Sequence, residues 1–144
     1  MKNIILWLAR LSLTVAIYGA AFCLMIPAAV AAVDDLGQQA GTVNVPAGVT
    51  LSEVQNTIVM VLSAREWGIK EKSDGRVVAY LKHRSNEATV TLTYDTTKID
   101  LHCVGWQINK KTGVHEKPEQ PTGWMNHIKS DLAKRFIKVR NTIK

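Results

Sequence analysis

Between Leu51 and Arg65 the apolar residues Val54, Ile58, Val61 and Leu62 recur at the spacing that places them on one face of a helix. The start of that helix is also legible. Thr50 is placed to accept from the free N–H groups of the first turn, and Glu53, three positions on, reaches back to the N–H of Thr50. Val49 and Val54 stand where a hydrophobic staple needs them. Upstream, Thr42-Val43-Asn44-Val45 alternates with period two and is stopped by Pro46 and Gly48, which predicts a short edge strand.

Downstream the period changes from helix to strand. Ile69 to Lys72 leads into Ser73-Asp74-Gly75, and an Asp-Gly pair between extended runs predicts a hairpin because Gly accepts the positive φ of the turn. The partner strand runs from Arg76 to Arg84, and Ser85-Asn86 turns the chain again. From Glu87 to Asp95, Ala88, Val90, Leu92 and Tyr94 fall on one side and Thr89, Thr91 and Thr93 on the other, so one face is dry and one wet. After Thr96-Thr97, Lys98 to Val104 repeats the alternation with Ile99, Leu101 and Cys103 inward. Gly105 to Gly123 contains Pro118 and Pro121 and keeps no period, which predicts a long loop. From Trp124 the helical period returns in Met125, Ile128, Leu132, Phe136, Val139 and Ile143, surrounded by Lys129, Lys134, Arg135, Lys138, Arg140 and Lys144. The expected fold is a single α+β domain over 42–144 in the order β-α-β-β-β-α, an antiparallel meander covered on one face by two helices. Residues 34–41 are polar and aperiodic, and 32–41 is expected to be a flexible tether.

The first 33 residues belong to a different physical regime. Lys2 and Arg10 make the start positive, no charged side chain occurs from Leu11 to Val33, and Asp34 and Asp35 end the run. Such a stretch is an export segment, either removed or kept as a single-pass anchor. Pro27 shortens the apolar helix, and Ala28-Ala29-Val30-Ala31-Ala32 supplies the small residues a signal peptidase reads, so removal of 1–31 is expected. Cys23 lies near a lipid-attachment position, but the bulky Phe22 before it does not suit one. The expected location is the periplasm or cell envelope.

Charge and cysteine usage narrow the partners. Beyond residue 33 the chain has four more bases than acids. In an exported protein this points to an acidic envelope protein, a glycan or anionic lipid, and away from nucleic acid. Cys103 is the only thiol left after processing, so no internal disulfide is expected.

The run Ala64-Arg65-Glu66-Trp67, followed by Asp74-Gly75, Val78-Ala79-Tyr80-Leu81, Ala88-Thr89-Val90, Tyr94, Val114-His115 and Trp124, resembles a family of small exported bacterial proteins of unknown function, often labelled lipoproteins. The resemblance spans about Leu51 to Leu132. It implies a compartment and a fold and brings no activity with it. The chain departs from many members in lacking the lipid-attachment site.

Side chains that could carry chemistry are few. Cys103 shares the inward phase of Ile99 and Leu101 and is expected to be buried rather than nucleophilic. His83, His102, His115 and His127 show no metal-ligand spacing, and no cofactor motif occurs. Glu66, Glu71, Asp74, Asp95 and Asp100 fall at strand ends and turns, where solvated acids belong, and no spacing singles out a hydrolytic pair. Trp67 and Trp124 are expected to bury at the helix ends. Trp106, in the predicted loop with Gln107, Asn109, Lys110, Lys111 and His115, either pins that loop or stacks on a sugar or partner. The final helix adds Lys129, Lys134 and Lys138 as partner-binding candidates. The expected function is a non-enzymatic binding or adaptor module for an acidic or glycan partner. The alternatives are a membrane-surface protein held by a retained anchor or the basic helix, and a small hydrolase.

Overall fold

The computed structural model describes residues 36–142. The expected export segment 1–31, the expected cleavage near Ala31 or Ala32, the first part of the expected tether, Ile143 and Lys144 lie outside the described residues. The elements run β1 (Gln38–Asn44), α1 (Leu51–Ala64), β2 (Gly68–Ser73), β3 (Arg76–His83), β4 (Asn86–Tyr94), β5 (Lys98–Ile108), β6 (His115–Pro118) and α2 (Thr122–Thr142). They form a single α+β domain, an antiparallel six-stranded sheet with two helices packed against one face.

Strand count departs from the expected β-α-β-β-β-α order, because five strands rather than three lie between the helices. The first arm of the hairpin predicted at Asp74-Gly75, which that order leaves uncounted, is β2, paired with β3. The segment expected to be a long loop holds the end of β5 and all of β6, which pair through Trp106 and Pro118, Gln107 and Lys117, and Ile108 and His115. All four β6 residues are exposed, so no buried face leaves a period to read. β1 starts at Gln38 rather than Thr42, with its register broken by a bulge between Gln39 and Gly41.

Strand order across the sheet is β1-β5-β4-β3-β2, with β6 continuing the β1 edge along the far end of β5. α1 therefore carries the chain from one edge of the sheet to the other, and the meander returns it. Thr50 caps α1 as the sequence predicts. Its hydroxyl accepts from Glu53 N–H at 3.3 Å, and the Glu53 carboxylate accepts from Thr50 N–H at 2.8 Å. At the other end Glu66 N–H donates to Ser63 O and Trp67 N–H to Leu62 O, a Schellman turn whose left-handed position is filled by Glu66 with φ 63°.

Val54, Ile58, Val61 and Leu62 of α1 meet Met125, Ile128, Leu132 and Phe136 of α2 over the inward residues of β3, β4 and β5. Each fully buried aliphatic side chain there contributes about 1.5–3 kcal/mol relative to exposure. Trp67 and Trp124 close the core at the helix ends, edge to face with ring centroids 5.9 Å apart. Trp67 is buried and Trp124 half-buried.

Candidate functional site

The helices cover only one face of the sheet, and the other carries polar and aromatic side chains together with Val78 and Val104. On β4 the alternation that sends Ala88 and Val90 inward sends Glu87 outward. Register places Glu87 between Lys82 on β3 and Trp106 on β5. The β5–β6 hairpin then folds His115 back over Trp106. Imidazole and indole are stacked with centroids 4.9 Å apart and planes 7° from parallel.

Glu87 braces this stack. Its Oε1 is hydrogen-bonded to His115 Nε2, and its Oε2 accepts from the Tyr80 hydroxyl at 2.9 Å. Lys70 Nζ lies 4.3 Å from the centroid of the Tyr80 ring, a cation–π contact that extends the row to β2. The Glu87 side chain is 17% exposed while that of His115 is 46% exposed. Burial alone would raise the Glu87 pKa, but the hydrogen bonds from His115 and Tyr80, with the nearby Lys82 charge, hold it below the usual carboxylate value. Burial, and then the bond to Glu87, push the Tyr80 phenol upward. The result is a fixed ledge of two stacked rings, a carboxylate and a phenol across neighbouring strands.

The tip of the β5–β6 hairpin is built on Asn109. Its Oδ1 accepts from Lys111 N–H at 2.9 Å and Thr112 N–H at 3.1 Å, and its Nδ2 donates to Glu116 at 2.7 Å. Gly113 takes φ 72° to close the turn. Ile108 N–H donates to Ser85 O at 2.7 Å, so this tip is tied to the β3–β4 turn at Arg84-Ser85.

Of the sequence candidates, Trp106 and His115 are brought together, and the three lysines are placed elsewhere. Lys129 Nζ donates to Ala40 O at 3.1 Å, in the β1 bulge, and its side chain lies across Gly41. It fastens α2 to the edge strand. Lys134 and Lys138 are exposed and, with Asp131 and Arg135, line a shallow hollow between the helices. That hollow is on the helix side of the sheet, so the aromatic ledge and the basic helix form two separate surfaces. Glu87 and Tyr80 are functional candidates that sequence reasoning missed. Their signal was the outward phase of Glu87, which acquires meaning only once β5 is in register beside it.

Cys103 is buried, and burial pushes its thiol up to about 11. Among the described residues no three His, Cys, Asp or Glu side chains are grouped to hold a metal ion. A hollow at the open end of the helices is lined by Trp67, Trp124, Glu66, His83 and His127, but no hydrogen bond joins these ionisable groups. Compared with protein-family models and with curated proteins, the chain finds no match.

Proposed function

We propose that this protein is a non-enzymatic binding module of the bacterial envelope that seats a glycan on the uncovered face of its sheet. The observation that carries the reading is the Trp106–His115 stack braced by Glu87. A sugar offers a flat apolar face and a rim of hydroxyls, and it is matched by an aromatic surface with polar groups already fixed beside it. One face of the imidazole rests on the indole, so its exposure comes from the other face and the edge, where a ring can lie. Because Glu87, His115 and Tyr80 are held before binding, little side-chain entropy is lost on contact.

Both Glu87 oxygens are engaged, which favours a structural role over one in proton transfer. The apolar face of α2, which a membrane surface would require, is consumed by the core. Export rests on the Lys2 and Arg10 start, the uncharged run to Val33 and the small residues at Ala28 to Ala32. Calorimetry against oligosaccharides from envelope glycans tests the reading. Trp106→Ala and His115→Ala should each weaken binding by about tenfold or more. Lys134→Glu and Lys138→Glu, on the far side, should leave it unchanged. Loss of binding in the lysine variants with none in the aromatic ones would sink it.

A further inference from the structure

We infer that the two hairpin tips form an anion seat beside the aromatic ledge, and that the glycan held there is acidic, with its charged group in that seat. The existence of the seat stands on its own geometry, and its assignment to a sugar acid rests on the glycan reading above.

Lys82, Arg84 and Lys110 converge on a hollow of ≈ 270 Å³ together with Ile108, Asn109 and Gly113. No acid lines it. Arg84 and Lys110 make no ion pair among the described residues. Lys82 is near Glu87, but the oxygens of that carboxylate are taken by His115 and Tyr80. Asn109 is turned away, its oxygen to the loop N–H groups and its amide to Glu116. Three like charges gathered at one recess repel each other unless an anion joins them.

Arg84 occupies the β3–β4 turn at φ 59°, a conformation in which Gly or Asn is the low-strain residue. A guanidinium carried on this turn can grip a carboxylate, sulfate or phosphate with two parallel hydrogen bonds. The bond from Ile108 to Ser85 holds the two tips together, so the recess is fixed before a ligand arrives.

Lys82, Glu87 and Trp106 are consecutive across three strands on the uncovered face. Two strand spacings separate the Lys82 and Trp106 backbones, about 10 Å, a span that a disaccharide covers. A sugar on the ledge therefore brings an acidic substituent of its neighbour to the seat.

The exported protein, labelled for NMR, is titrated first with inorganic phosphate. Then come a hexasaccharide of alternating glucuronate and N-acetylglucosamine and its carboxyl-reduced counterpart, and last phosphatidylglycerol vesicles. Phosphate should shift the Arg84, Lys110 and Gly113 amides, and Arg84→Gly should weaken that binding while raising the thermal midpoint, because the turn strain is relieved. The acidic hexasaccharide should bind at least about tenfold more tightly than the reduced one. This ratio should fall toward one in Arg84→Gly, and Trp106→Ala should lose both sugars. Unmoved amides with phosphate overturn the seat. Equal affinity for the two hexasaccharides overturns the acidic assignment and leaves the glycan reading standing. Phosphate binding with neither sugar bound, or preference for the vesicles that is lost in Arg84→Gly, overturns the glycan reading and the assignment of the seat to a sugar acid.

Discussion

Arg65 Nε stands 2.6 Å from Asp131 Oδ2, which ties the C-terminal end of α1 to the middle of α2. The hydrogen bond from Arg65 holds the Asp131 carboxyl below its usual range. Burial opposes this, and the charges of Arg65, Lys134 and His127 assist it. A carboxylate depressed in the folded state stabilises the protein above its unfolded pKa, and the contribution disappears as pH falls through the folded value. Both side chains are about one third exposed, so solvent screens the pair. Asp131→Asn should cost about 0.5–1 kcal/mol at neutral pH, with the gap to wild type closing in acid. Urea unfolding at pH 7 and pH 3 measures both, and a gap of equal size at the two pH values would contradict the assignment.

Leu132 and Val90 are fully buried on opposite sides of the same core, one from α2 and one from β4. Leu132→Ala should destabilise by about 2–5 kcal/mol, and Val90→Ala by somewhat less because fewer atoms are removed. Chemical denaturation reads the difference. Two variants as stable as wild type would mean that the helices do not pack on this face.

Glu66 offers the opposite sign. It is exposed and has φ 63° at the turn that ends α1, where glycine has no Cβ to clash. Glu66→Gly should stabilise by about 0.5–1 kcal/mol, the relief of strain being partly offset by the greater freedom of glycine in the unfolded chain. A lower melting temperature would show that the Glu66 side chain has a use that its exposure conceals.

Cys103 should be silent as a nucleophile. Its thiol is buried and pushed up to about 11, so almost no thiolate exists at pH 8. Incubation with a disulfide reagent should modify it only at the rate at which the domain opens, and fully in denaturant. Rapid modification of the native protein would overturn the buried placement.

What the sequence could reveal followed burial. Thr50 and Glu53 announced the α1 cap, and Asp74-Gly75 its hairpin, because local chemistry decides both. The sequence predicts the turn between β3 and β4 at Ser85-Asn86, and it lies at Arg84-Ser85. That moves the pairing by two positions and keeps each side chain on its expected face. β6 escaped because its exposed residues carry no apolar alternation. The ledge was half legible. Trp106 and His115 stood out as an aromatic and an imidazole in one segment, but Glu87 and Tyr80 come from earlier strands and only the register of the sheet assembles them.

Pairing of β1 with β5 sets a constraint on the order of events during folding. Gln38 to Asn44 find their partners in Lys98 to Cys103, and Lys129 of α2 fastens the bulge of that same strand. Ribosomes deliver a chain from its N-terminus, so the first strand to emerge waits until the fifth has followed. The neighbouring hairpins can form locally, whereas the β1 edge closes by long-range contacts that carry a larger loop-closure cost. In the interval that strand lacks its native partner, the kind of segment that a holding chaperone recognises and that a second chain could capture.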